Sequence, residues 1–485
     1  MTSLNTTREP AGKTFFGHPR MLFNLFNVEM WERFSFYGMQ GILAYYMYFE
    51  VAEGGLGLDQ GLSLSLVGAY GGTVYLSTIF GAWIADRLFG SERVLFYTAI
   101  MIMLGHIALA ALPGVVGLTV GLLLVALGSG GLKATATTLV GSLYAEKDSR
   151  RDAGFSIFYM GVNIGALIGP LLTGLLQTRL GFHYGFALAA IGMAIGLTIY
   201  ALGRKNLPAS THHVTDPLPG SLRVRYGIGV LIGIAIIIVL LTTGIVHADN
   251  LATTIAIVVV AASVIYFIVI LSSKKIDTTE RRRVTAFIPL YVASAAFWAL
   301  FQQQFTFIAV YSEQRLDRNL FGWEMPASWT QSINPVFIII FAAVFAGIWT
   351  KMGDRQPSTP LKFGASLVIV GIAFLVFIPL NSLEKTPLLA LAGILFLCTM
   401  AELLLSPIGL SVATKLAPIA FTTQMVALFY LSVSLGTTLA GILAGFYTEG
   451  NEIPYFVALG GTAIVLGVAL MAAVKPIKSL MSGVK

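Results

Sequence analysis

An all-α polytopic membrane protein follows from three features of this sequence: a composition too apolar for water, apolar runs of about 20 residues recurring along the chain, and basic residues gathered in the breaks between them. Hydrophobic residues fill 56% of the 485 positions and charged residues only 11%, and the mean hydropathy is +0.82. Soluble domains do not reach such values. A bilayer core needs about 20 apolar residues per spanning helix. Runs of that length lie near 22–49, 62–85, 93–112, 114–143, 152–178 and 184–203, then 226–246 and 251–273, then 285–312, 330–353, 361–380, 386–413, 421–447 and 453–474. The expected architecture is therefore fourteen helices, arranged as six, two and six.

The expected organisation is a cytoplasmic N-terminal segment 1–21, a six-helix bundle 22–204, a linker with two additional helices 205–284, a second six-helix bundle 285–474 and a cytoplasmic tail 475–485. Two halves of this kind suit transporters whose site lies at their interface near the midplane. The two central runs carry no charge and suit exposure to lipid.

The basic residues test the map, because Lys and Arg collect in cytoplasmic loops. With the N-terminus inside, 24 of the 30 fall on the cytoplasmic side, among them Arg8, Lys13, Lys147 and Lys485. Four fall outside, Arg179, Arg315, Arg318 and Lys385, and Arg33 and Lys133 stay within the membrane. A missed or added helix would scramble this asymmetry, so both termini are expected in the cytoplasm and the chain in the cytoplasmic (inner) membrane. No secretory leader is apparent in the first 20 residues.

Several function classes are excluded. The net charge of +7 is not arranged as a basic stripe interleaved with aromatics, so nucleic acid is not an expected partner. Cys398 is the single cysteine, which rules out a disulfide framework or thiolate metal site within one chain. The six histidines show no metal-ligand spacing, and G-S-G-G-L-K-A-T at 128–135 lacks the ending of a phosphate-binding loop. No catalytic set stands out, so the chain is expected to be a secondary transporter and not an enzyme, with no cofactor other than protons as the coupling ion and with function as a monomer.

Five charged residues sit well inside the spans: Glu29, Glu32, Arg33, Lys133 and Glu402. Each costs about 2.5–3.5 kcal/mol on insertion scales, so such residues face a cavity and have a task. Glu29, Glu32 and Arg33 are spaced for one helical face. Three acids against two bases leave one carboxylate unmatched, so the set is neutral with one proton bound and carries one negative charge without it. Arg33 and Lys133 can receive an anionic group, and Glu402 can receive an ammonium. A zwitterion fits, and an amino acid, a dipeptide and a tripeptide all satisfy the charges. Tyr37, Tyr75, Phe158, Tyr159, Asn163, Phe297, Trp298 and Asn334 are the aromatic and amide residues of the spans expected near these charges.

Longer motifs narrow the choice. G-A-W-I-A-D-R-L-F-G at 81–90 resembles the cytoplasmic turn of the major facilitator superfamily, in which Asp86 and Arg87 would lock helix ends. E-M-W-E-R-F-S-F-Y-G at 29–38 resembles the E-x-x-E-R-F-x-Y-Y-G signature of the proton-dependent oligopeptide transporter family of that superfamily. F-Y-M-G-V-N-I-G-A-L at 158–167 and A-E-L-L-L-S-P-I-G-L at 401–410 are similar to two further family segments, and Q-S-I-N-P at 331–335 adds a fourth. The resemblance implies the major facilitator fold and import of di- and tripeptides with protons. It implies that Glu29, Glu32 and Arg33 couple protons, that Arg33 and Lys133 receive the peptide carboxylate, and that Glu402, Asn163 and Asn334 receive the amino terminus. Tyr37, Tyr75 and Trp298 would line the peptide. A superfamily carrier of another anion or zwitterion, such as nitrate, a drug or an amino acid, is the alternative. Three positions depart from the family pattern: Gln302 stands where many members have a glutamate paired with the first-helix arginine, no Asn-Pro follows Lys133, and Leu428 stands where tryptophan is common.

Overall fold

The computed structural model describes residues 14–145, 148 and 150–484, apart from the side chain of Asp354. Arg8, Lys13, Lys147, Lys485 and most of the 1–21 segment lie outside the described residues. Within them the chain runs α1 (Met21–Tyr48), α2 (Gln60–Ile84), α3 (Ser91–Ala111), α4 (Gly114–Ser142), α5 (Arg151–Leu180) and α6 (Phe182–Gly203). Next come α7 (Gly220–Thr242) and α8 (Leu251–Ser272). The remainder is α9 (Thr278–Phe301), α10 (Phe307–Gln314), α11 (Ile333–Met352), α12 (Thr359–Leu375), α13 (Phe377–Leu380), α14 (Leu388–Lys415), α15 (Thr422–Ala444), α16 (Glu452–Ala472) and α17 (Val474–Met481). A two-stranded ribbon, β1 (Asn319–Leu320) with β2 (Trp323–Glu324), closes the loop after α10.

Every expected apolar run is helical, which gives fourteen crossings among the described residues. Thirteen segments are long and apolar enough to cross a bilayer by length and composition. The fourteenth, α1, has 28 residues and length to spare, but Glu29, Glu32, Arg33 and Gln40 dilute its apolar character. Its polar groups are tolerated because protein surrounds it: Glu32 is fully buried, and Glu29 and Arg33 nearly so. Glycines bring α5 against it. A Cβ on Gly165 would stand 2.2 Å from the Met30 carbonyl oxygen, and one on Gly169 2.4 Å from that of Phe34, so only bare backbone permits this approach.

One crossing differs from the uninterrupted 285–312 expected. The helix stops at Phe301, tightens into a 3₁₀ turn over Gln302–Phe305 and restarts as α10 after Thr306. Gln303 holds the break: its Nε2 donates to the Ala440 carbonyl at 3.2 Å, while its Oε1 accepts from Tyr455 OH and Thr306 Oγ1, each at 3.1 Å. Irregular backbone survives at membrane depth where protein satisfies it.

Helices α1–α6 pack among themselves, as do α9–α16, and the two bundles meet chiefly through α2 with α15 and through α5 with α11 and its preceding turn. The α2–α15 seam is close because it is built from small residues: a Cβ on Gly68 would lie 2.6 Å from Gly441 Cα, and one on Gly72 1.9 Å from Thr438 Oγ1. The central pair behaves unequally. No residue of α7 is buried, as expected for a lipid-exposed helix. Helix α8 instead buries Ala252, Ala256, Val259, Ser263 and Ile270, a helical stripe set against α15, α2 and α9, and Ser263 Oγ bonds Tyr291 OH at 2.7 Å.

The loops after α2, α4, α6, α8, α11 and α14, together with the segment after α16, form one face that carries most of the lysines and arginines, here called the basic face. Among the described residues the bundles are joined by hydrogen bonds at the wall of the cavity between them, where the side chains of Tyr75 and Gln302 bond each other, and from the midpoint toward the opposite, far face: Ser434 Oγ to Gly72 O (2.7 Å), Ser332 Oγ to Leu167 O (2.8 Å), Trp329 Nε1 to Leu171 O (2.9 Å), Tyr45 OH to Ala309 O (2.9 Å) and Gln314 Nε2 to Gln60 Oε1 (3.0 Å). Between the cavity and the basic face no hydrogen bond or ion pair joins the bundles among the described residues. The seam is therefore sealed on the far side and unbridged on the basic side.

Candidate substrate-binding site

A cavity of about 440 Å³ lies between the bundles. Its wall includes Glu29, Arg33, Tyr37, Tyr75, Lys133, Asn163, Trp298, Asn334 and Glu402, so every residue expected to bind substrate borders one space. Phe158, Tyr159 and Gln302 border it as well. Glu32, Asp86 and Arg87 do not, and neither does Phe297, which is fully buried and stacked on Phe301 with ring centroids 5.4 Å apart.

The charges on α1 form a compact triad. Arg33 Nε donates to Glu29 Oε1 at 2.7 Å and lies 3.2 Å from Glu32 Oε2. Spacing of three and four residues suggested one common face, but Glu32 turns from the cavity toward α4, where Ser129 Oγ donates to its Oε1 at 3.1 Å. The guanidinium is thus held between two carboxylates of its own helix, and the triad carries one surplus negative charge when both are ionised. Gln302, at the end of α9, borders the cavity without ion-pairing Arg33, as its neutral amide dictates.

Lys133 has no carboxylate partner within 4.0 Å among the described residues. Its ammonium sits against two aromatic faces, 4.6 Å from the Tyr75 ring centroid and 4.7 Å from that of Phe36. Ring quadrupoles hold a cation this way without neutralising it. Glu402, on α14 of the other bundle, has no basic partner either. Asn334 Nδ2 steadies it at 3.2 Å and also donates to Thr399 Oγ1 at 2.9 Å, which ties α11 to α14. Among the described residues Asn163 bridges no helices: its Nδ2 bonds back to the Tyr159 carbonyl at 3.0 Å, and the residue borders the cavity. Tyr37 stacks on Phe305 at 6.0 Å. An unpaired cation on one bundle and an unpaired anion on the other therefore face the same space, and no hydrogen bond or ion pair among the described residues bridges the bundles on the basic side of it.

The structure adds residues that sequence reasoning did not single out. Both amide atoms of Gln331, Oε1 of Gln40 and Nε1 of Trp298 are buried on the wall with no hydrogen-bond partner among the described residues, as is Oε2 of Glu29. Buried polar groups require partners, so these atoms are free for water or a guest. Gln331 lies within the quoted Q-S-I-N-P motif, but nothing in that motif says which of its side chains faces inward. Leu428, at the position where tryptophan is common in the family, is fully buried and off the wall, and Phe429 and Tyr430 of α15 border the cavity instead.

The motif at 81–90 clasps a different element from the one expected. Arg87 pairs with Asp216 of the linker, and the backbone N–H groups of Asp216 and Leu218 bond the carbonyls of Asp86 (2.9 Å) and Arg87 (3.0 Å). Among the described residues Asp86 makes no ion pair. The turn thus anchors the segment leading into α7. A neighbouring lock went unforeseen: fully buried Glu92 pairs with Arg204 at 2.6 Å and His212 at 3.2 Å, with Arg204 lying 3.7 Å over the Phe96 ring.

This fold and cavity have counterparts. The sequence model of the POT family matches residues 92–462, about three-quarters of the chain. The chain belongs to the POT family. It is 43% identical over 477 residues to the uncharacterized transporter YclF of Bacillus subtilis, covering 97% of each chain. It is 40% identical over 503 residues to a di-/tripeptide transporter of Lactococcus lactis subsp. cremoris, covering 100% of each. Among solved structures it resembles a glutamate-to-glutamine variant of a peptide transporter POT in complex with alafosfalin, at 44% identity and a TM-score of 0.93 over 97% of each chain. This POT-family chain is accordingly a multi-pass membrane protein with the major facilitator fold, two six-helix bundles and two additional helices, and its relatives are transporters, not enzymes.

Proposed function

We propose that this chain is a proton-coupled symporter that imports di- and tripeptides by alternating access. The observation that carries this reading is the pairing of lone charges across the cavity: Lys133 on one bundle and Glu402 on the other, each without an ionic partner among the described residues. A zwitterion supplies both missing partners at once, its carboxylate to Lys133 and its ammonium to Glu402. Docking it would draw the two bundles together, the movement that closes the unbridged basic side. A cavity of about 440 Å³ suits a guest of two or three residues, and the free amide atoms of Gln331 and Gln40 suit its peptide groups.

Proton coupling rests on the α1 triad. Two carboxylates on one guanidinium leave a surplus charge that one proton removes, and Glu29, with one oxygen unpartnered, adjoins the cavity where a substrate carboxylate would compete for Arg33. In this reading the basic face is cytoplasmic, following the distribution of lysine and arginine, the chain sits in the inner membrane, and the described conformation faces inward. The domain limits at 204, 285 and 474 and function as a monomer belong to the same proposal.

A whole-cell uptake assay with labelled dialanine tests this reading. Unlabelled di- and tripeptides are expected to compete and nitrate and single amino acids to leave uptake unchanged. Competition by nitrate or by an amino acid alone would reject peptides as the cargo.

A further inference from the structure

A second cavity, of about 410 Å³, opens on the basic face behind α14. It lies between the start of α12, the last turns of α14 and α17, and it shares with the central cavity only Pro407. Three lysines border it, Lys362, Lys415 and Lys478, and among the described residues none has an acidic partner. Lys362 is the built part. It is only 8% exposed, its ammonium sits 4.1 Å over the Trp349 ring, and it donates one hydrogen bond, to Gln356 Oε1 at 3.0 Å. An ammonium has three donors, so this buried cation retains capacity toward the cavity. The first turn of α12 also borders the space with no side-chain cap, and helix N-termini favour anions. Ser411 adds a hydroxyl.

Three positive charges, a bare helix start and a hydroxyl around one hollow have a single chemical complement. We propose that this cavity binds a phosphoryl anion, carried by an anionic lipid headgroup or present as free phosphate. Its level fits a headgroup. Helices α12 and α14 begin and end there, and α17 lies beside them with Ile477 and Met481 buried and Lys475 and Lys478 exposed, an arrangement of the sort that places basic pockets at the phosphate layer. A ligand there would bear on the stretch of α14 around Pro407, five residues beyond Glu402.

Native mass spectrometry of the purified full-length chain with phosphatidylglycerol and phosphatidylcholine tests the site, with inorganic phosphate as the free-anion arm read by thermal stabilisation. The variants are Lys415→Gln/Lys478→Gln in the cavity and Lys274→Gln/Lys275→Gln, two exposed lysines of the same face outside it. The wild type is expected to retain phosphatidylglycerol about tenfold over phosphatidylcholine or to be stabilised by phosphate, with the effect lost in the cavity variant and kept in the control. Lipid retention that millimolar phosphate displaces means that both sources are accepted, and retention that resists it means the headgroup. Equal behaviour of wild type and cavity variant in both arms, or equal loss in both variants, overturns the proposal.

Discussion

Replacing Glu402 by glutamine is expected to weaken dialanine binding by about 10- to 150-fold while leaving N-acetyl-dialanine nearly unaffected. Glu402 has no basic partner within the described protein and is held by the neutral Asn334 amide at 3.2 Å. Removing its charge therefore orphans no buried cation, and glutamine keeps the shape, so the fold is spared. What disappears is a charged hydrogen bond to the substrate ammonium. Such bonds contribute about 1.5–3 kcal/mol, and 1.4 kcal/mol is about tenfold. N-acetyl-dialanine lacks the ammonium and serves as the internal control. Competition against labelled dialanine in proteoliposomes, measured for both ligands on both proteins, isolates the interaction as a cycle. If Glu402→Gln preserves the full wild-type preference for the free amino terminus, then Glu402 does not receive it, and the matching of lone charges is wrong.

Lys133→Gln is expected to give the mirror result, erasing discrimination between dialanine and its C-terminal amide, again by roughly 10- to 150-fold, in the same competition assay. Glu32→Gln is expected to abolish stimulation of uptake by an imposed pH gradient while counterflow persists, because the triad then holds no surplus carboxylate to protonate. Gly72→Ala places a Cβ against Thr438 in the α2–α15 seam, and overpacking of about 1–3 kcal/mol is expected to loosen the far-side closure. Faster labelling of a Gln60→Cys reporter by an impermeant thiol reagent checks this, since Cys398 is buried. Arg204→Gln leaves the fully buried carboxylate of Glu92 without its arginine and dependent on His212, an effect of up to about 3 kcal/mol read as a lower unfolding temperature, partly restored in the double variant with Glu92→Gln.

The crossings were legible in the sequence because bilayer thickness imposes one length on every apolar run, and the site was legible because a charge in such a run needs a reason. Glu29, Arg33, Lys133 and Glu402 announce themselves by misfit alone, and all four border one cavity. Locality marks the limit. Arg87 with Asp216, and Glu92 with Arg204, are separated by more than a hundred positions, and no periodicity encodes such partners. The break at Gln302–Phe305 depends on Gln303 reaching Ala440 and Tyr455, which a window along one helix cannot see. Glu32 left the expected face because Ser129 offers a hydroxyl from α4. Helices α7 and α8 read alike as apolar runs, and both carry small residues, yet only α8 buries a face, against α15, α2 and α9.

Uptake of labelled dialanine into proteoliposomes under an imposed proton gradient, with no other energy source, is the decisive measurement. A proton falling through about 100 mV releases roughly 2.3 kcal/mol, enough for on the order of 50-fold accumulation of a neutral zwitterion. Accumulation approaching that ratio, collapsing when a protonophore is added, is the expected outcome. Mere equilibration of dialanine, indifferent to the gradient, would contradict proton-driven peptide import.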